Sequence, residues 1–85
     1  MVLGNRAKWE IYNDFLDAVT KSDKLTDIIS YANLSFSQLK RYSSEMKHSG
    51  LLRITRKDDR NKIYQATEKG KEFQKKFKCL ISLIR

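Results

Sequence analysis

Apolar residues recur at Ile11, Tyr12, Phe15, Leu16 and Val19 within the stretch from about Arg6 to Lys21. That is the i, i+4, i+5, i+8 spacing of a helix with one buried face. Ser22-Asp23-Lys24 interrupts it, and Thr26 is suited to cap a short second helix carrying Ile28, Ile29 and Ala32. Asn33 fits the left-handed residue that ends such a helix. Ser35 starts a third. Ser35-Phe36-Ser37-Gln38 matches the capping box, in which the serine hydroxyl meets the backbone N–H three residues on and the glutamine reaches back. Leu39, Tyr42 and Met46, with Phe36 ahead of them, form its expected inward stripe, and Gly50 is the stop.

The period then changes from helical to alternating. Leu51–Arg56 predicts a strand with Leu52 and Ile54 on one face and Arg53 and Thr55 on the other. Residues 57–61 form a polar turn, and Lys62–Ala66 is the returning strand with Ile63 and Tyr64 as its β-formers. Thr67 caps a last helix over Glu68–Ile84, lined on one side by Phe73, Phe77, Leu80, Ile81 and Ile84. The expected order is therefore α-α-α-β-β-α, a mainly helical α+β chain.

The 85 residues contain no proline and show no linker or repeat, which predicts one domain over 1–85: a core over 6–66 and a terminal helix over 67–85. The longest apolar run, Cys79 to Ile84, is far short of the roughly 20 residues needed to cross a bilayer. Met1 to Gly4 is too short for a signal peptide, and an intracellular, nucleoid-associated location is the expectation. A single Cys79 and a single His48 cannot assemble a zinc site, so no metal or cofactor is expected. No Gly-rich phosphate loop and no nucleophile beside a base is present, so no catalytic residue is assigned. No small-molecule ligand is legible.

Charge changes the picture more than composition does. Residues 1–35 carry four Lys/Arg against five Asp/Glu, whereas residues 36–62 carry eight against three and residues 63–85 six against two. The net charge of +8 thus begins at the third helix. A basic surface of this kind favours a polyanionic partner.

The run "LKRYSSEMKHSGLL" resembles the recognition helix and first wing strand of winged-helix regulators, and "YQATEKGKEF" resembles the passage from the second wing strand into the last helix. With "WEIYNDFLDAV" and "IISYANLSFSQLKRY", residues 6–84 resemble the small archaeal winged helix-turn-helix DNA-binding proteins. The resemblance implies binding of double-stranded DNA and a homodimer formed through the C-terminal helix. Glu68–Ile84 would span only about 26 Å, a shortened version of that family's coil, so the dimer geometry is not carried over.

Such docking sets the start of the recognition helix in the major groove. Outside the expected core stripe lie Ser35, Ser37, Gln38, Lys40, Arg41, Ser44 and Lys47. Arg41 and Gln38 have the donors and acceptors for base edges, Arg for guanine and Gln for adenine. Lys40 and Lys47 suit phosphate, and the serines permit close approach. Arg56, Lys57, Arg60 and Lys62 are the wing's contacts for backbone or minor groove, while Asp58 and Asp59 either repel phosphate or pair with Arg60 and Lys62. The last helix's lysines, Lys69, Lys71, Lys75, Lys76 and Lys78, are expected to form a solvated face. Trp9, Tyr12 and Leu16 make a second apolar stripe on the first helix, which either packs against the last helix or forms a dimer surface. The dimer candidates are Trp9, Tyr12, Phe73, Phe77, Leu80, Ile81, Leu83 and Ile84, because apolar surface in excess of one small core signals a partner. A different class of function stays open at this point: a winged-helix protein–protein interaction module, using the wing carboxylates and the apolar termini.

Overall fold

The computed structural model describes residues 7–56, 58 and 62–84. Four helices and one hairpin follow in order: α1 (Lys8–Lys21), α2 (Leu25–Ala32), α3 (Phe36–His48), β1 (Leu52–Arg56), β2 (Lys62–Ala66) and α4 (Glu68–Ile84). The α-α-α-β-β-α order of the hydrophobic pattern is the order of the structure, and the architecture is a winged helix. Arg6, the expected first helical residue, lies outside the described residues; Ala7 is the N-cap, and its N–H donates to Glu10 Oε1 at 3.0 Å.

Two helices end in the same way. At Asn33 the backbone turns left-handed (φ 55°), and the Leu34 N–H reaches back to the Ile29 carbonyl (3.1 Å) while Asn33 N–H bonds Ser30. At Gly50 (φ 83°) the Leu51 N–H bonds the Met46 carbonyl (2.9 Å) and Gly50 N–H bonds Lys47. This double hydrogen bond is the Schellman arrangement, and the apolar residue that follows it packs inward each time. Leu34 and Leu51 are both buried. Leu51, expected in the strand, is thus consumed by the cap, and the strand begins at Leu52.

Thr26 does not cap α2. Lys24 occupies the N-cap, without a side-chain cap bond, and the entry is braced instead by Ser22 Oγ, which accepts the Lys24 N–H and donates to Asp27 Oδ2 (2.8 Å).

The wing strands pair antiparallel, with Leu52 opposite Ala66, Ile54 opposite Tyr64 and Arg56 opposite Lys62. Tyr64 N–H donates to the Asp23 carbonyl at 3.3 Å, which ties the free edge of β2 to the loop between α1 and α2. The core gathers Phe15 and Leu16 of α1, Ile28 of α2, Leu39 and Met46 of α3, and Leu52 and Tyr64 of the wing.

The start of α4 is fixed with little freedom. Thr67 Oγ1 accepts the Gly70 N–H (3.0 Å), as an N-cap should, and its hydroxyl donates to the Gly50 carbonyl. Gly70 lies against the Leu51 carbonyl so closely that a Cβ would collide with it, and Leu16 Cδ2 would stand 3.2 Å away. Lys69 Nζ donates to the Ser49 carbonyl (2.8 Å) at the C-terminal end of α3. Further along, Gln74 is buried and its Nε2 donates to Asp17 Oδ1 (2.6 Å). The lysines of α4 are exposed as expected, with partners added: Lys69 bonds the Ser49 carbonyl, Lys78 pairs with Asp17 (3.2 Å), and Lys71 and Lys76 make exposed pairs within the helix.

Candidate nucleic-acid interface

The third helix is anchored from behind. Leu39 and Met46 are fully buried and Ser43 nearly so, whereas Tyr42 is only half-buried. Successive residues turn by about 100° around a helix, so Ser37, Arg41, Ser44 and His48 form the line opposite that stripe. All four are exposed. Lys40 and Lys47 flank the line on one side; Gln38 and Glu45 flank it on the other. The stretch is a basic helix face, presented outward by a core that needs only three of its thirteen residues buried.

Phe36 does not join the inward stripe. Its ring is 56% exposed at the first position of α3, and Lys40 Nζ lies 5.7 Å from the ring centre. Ser43, not Phe36, fills the buried position. A serine there is tolerable because its hydroxyl donates to the Lys40 carbonyl one turn back (3.1 Å).

Two proposed base readers have intramolecular engagements. Gln38 Oε1 accepts the Ser35 N–H (2.9 Å) while Ser35 Oγ accepts the Gln38 N–H (3.1 Å), completing the capping box. The cap engages one of the two lone pairs of Gln38 Oε1. Ser35 and Ser37 hydroxyls are 3.2 Å apart. Arg41 Nε lies 3.5 Å from Glu45 Oε2, and its guanidinium sits over the Tyr42 ring.

Glu45 is the hub of this flank. Tyr12 donates to its Oε1 at 2.9 Å, and Lys8 Nζ stands 3.4 Å from the same oxygen. The tyrosine hydrogen bond, with Lys8 behind it, holds the Glu45 carboxyl below the usual carboxylate range. Burial and the bond to Glu45 push the Tyr12 hydroxyl up, and the same carboxylate raises Lys8. The cluster ties the N-terminus of α1 to the middle of α3.

On the wing, Arg56 and Lys62 stand opposite each other and share a face. Like charges directly opposite repel. An anion placed between them would relieve that repulsion. Lys57, Arg60 and Asp59 lie outside the described residues.

Sequence reasoning missed Tyr31. It is 57% exposed on α2, with Lys21 Nζ 5.2 Å from its ring. The signal was an aromatic off the Ile28/Ala32 line. In helix-turn-helix docking this helix crosses the backbone, where a hydroxyl and an ammonium suit phosphate.

Of the dimer candidates, Tyr12 is corrected. It is 3% exposed within the protomer, ringed by Trp9, Tyr42 and Phe73 at centroid distances of 5.7, 6.2 and 6.1 Å, so it belongs to the core. Phe73, Phe77 and Ile81 are half-buried against their own protomer. Trp9, Leu80, Leu83 and Ile84 are exposed, the last two at 81% and 71%.

A sequence model of the winged helix-turn-helix family matches residues 5–85. The chain belongs to the winged helix-turn-helix family. Among solved structures it is similar to Sso10a-2, a DNA-binding protein from Sulfolobus solfataricus, at 28% identity and a TM-score of 0.80, over 92% of this chain and 81% of that one. AF1382 from Archaeoglobus fulgidus shares the fold at 19% identity and a TM-score of 0.73, covering 98% of this chain and 92% of that one. The PcaV transcriptional regulator from Streptomyces coelicolor shares it at 18% identity and a TM-score of 0.76; 85% of this chain matches 56% of that longer one. A comparison with curated proteins found no match. Among the described residues no helix is long and apolar enough to cross a membrane, and no group of three or more His, Cys, Asp or Glu could hold a metal ion.

Proposed function

We propose that this protein binds double-stranded DNA as a homodimer, acting as a transcriptional regulator or chromatin-associated protein. In this reading α3 enters the major groove, with Arg41 on base edges and Ser35, Ser37, Gln38, Lys40, Ser44 and Lys47 around it. Arg56, Lys57, Arg60 and Lys62 bring the wing to the backbone or minor groove. The observation that carries it is the outward line of α3: an exposed polar and basic face on a helix whose opposite side is locked in the core. A winged helix-turn-helix similar to a DNA-binding protein over 81% of that protein's length supports it.

The homodimer rests on the other end of the molecule. Trp9, Leu80, Leu83 and Ile84 leave exposed apolar surface on α1 and α4, and Phe73, Phe77 and Ile81 border it. Leu80, Leu83 and Ile84 carry most of this surface on the C-terminal half of α4, whereas Trp9 borders the Lys8–Tyr12–Glu45 cluster on the flank of α3.

Electrophoretic mobility shift on a duplex pool at low salt tests the reading. Arg41→Ala is expected to weaken binding and relax base preference at one position, by about 1–3 kcal/mol, whereas Lys47→Ala weakens all sequences alike. Equal effects of the two would show that α3 does not read bases. Retention in a protein complex at high salt, with no shift on any duplex, would favour the interaction-module alternative.

A further inference from the structure

We infer that Phe36 reads the 5-methyl group of a pyrimidine in the major groove; the inference rests on the DNA-binding reading above and deepens it.

A single exposed apolar side chain is ordinary. Phe36 is distinguished by where it stands. It is the first residue of α3, and the N-terminal residues of a recognition helix are those that meet base edges. Its backbone is held by the capping box of Ser35 and Gln38, so the ring is presented from a fixed point. The neighbours Ser35 and Ser37 are small and do not cover it. Lys40 Nζ, 5.7 Å from the ring centre, puts an ammonium beside an apolar face. A pyrimidine 5-methyl lies at the wall of the major groove near its own strand's phosphates, so the DNA offers the same pairing of groups: methyl for the ring, phosphate for the lysine. Contact between an apolar side chain and the thymine methyl is one of the standard ways a groove is read.

The other readers on this helix leave room for such a contact. Gln38 is engaged in the cap, and Arg41 is shared with Glu45. The Phe36 ring has no apolar cover from its own core, and what it gains on binding is the burial of a methyl and of its own surface.

The test uses the full chain and fluorescence anisotropy at fixed low salt on short alternating duplexes: A·T, the same duplex with uracil for thymine, G·C, and the same duplex with 5-methylcytosine for cytosine. The wild type is expected to prefer the thymine duplex over the uracil duplex by about 4-fold per methyl contacted, and about 15-fold if two protomers each contact one. It gains similarly from 5-methylcytosine. Phe36→Ala binds all four with no methyl-dependent difference, and its thermal melt stays close to that of the wild type because the ring is not in the core. Phe36→Leu retains part of the preference. Equal wild-type affinity for thymine and uracil duplexes would overturn the inference, as would a methyl preference that survives in Phe36→Ala. A thymine preference over uracil without a 5-methylcytosine gain would mean that the methyl counts only within A·T sequence, and would also overturn it. Absence of binding to all four duplexes would instead remove the DNA-binding reading itself.

Discussion

The two ends of α4 are made from different residues, polar at the start and apolar at the end, and they sit in opposite surroundings. At its start Thr67, Lys69, Gly70 and Gln74 are each engaged with another element: the cap of α3, the Leu51 carbonyl, or Asp17 of α1. At its far end Leu80, Leu83 and Ile84 are exposed. The first end is set by geometry, so a single methyl is too much there. The second end has little packing to lose within the protomer. One helix is therefore locked to the α3–β1 turn at one end and leaves at the other the apolar surface proposed above for association.

That contrast is breakable. The largest effect is expected from Gly70→Ala. The added Cβ meets backbone rather than a flexible side chain, so α4 must shift away from the α3–β1 turn. Overpacking of this kind costs about 1–3 kcal/mol, and the backbone contact puts this case toward the upper end. For a domain of this size the melting temperature should fall by about 4–8 °C per kcal/mol. An unchanged melt would mean the junction is looser than the structure has it.

At the opposite end, Leu83→Glu combined with Ile84→Glu should leave the protomer's far-ultraviolet circular dichroism intact and lower its stability by no more than about 0.5 kcal/mol. Light scattering should show the dimer replaced by monomer. A large loss of helicity with no change of mass would place these residues in the protomer's own core.

The smallest effect concerns the flank of α3. Tyr12 and Lys8 hold the Glu45 carboxyl below its ordinary value. A carboxylate depressed in the folded state contributes stability that is present above its unfolded pKa and is lost as pH falls through the folded one. Thermal melts at pH 6 and pH 3 should therefore fall less for Glu45→Gln than for the wild type. Identical pH sensitivity would show that this cluster is not the one that titrates.

What the sequence disclosed follows the same division. All six elements and both left-handed residues were legible because Ser35, Asn33, Gly50 and Thr67 act through neighbours only a few positions away. Partners distant in the chain were not legible. Tyr12 reads as a dimer-surface candidate until its hydroxyl is seen on Glu45, and the bond from Gln74 to Asp17 joins residues 57 positions apart. Phe36, expected beside the inward stripe from its residue type, is exposed, and Ser43, for which residue type gave no such signal, is buried. Gly70 was visible as a glycine, but the carbonyl it must clear belongs to a residue nineteen positions earlier. The site residues depend on α3's outward line, which periodicity defined; their engagement with Ser35 and Glu45 required the folded arrangement. Wing residues Lys57 and Arg60 lie outside the described residues, so the tip keeps only its sequence argument.

The most direct measurement is the affinity for a duplex pool across salt. A dimer neutralising six to ten phosphates with the cations of α3 and the wing should bind at 50 mM salt and lose about 10³–10⁵ in affinity by 200 mM. No binding at the lower salt, or an affinity indifferent to salt, would contradict the assignment of this basic helix to DNA.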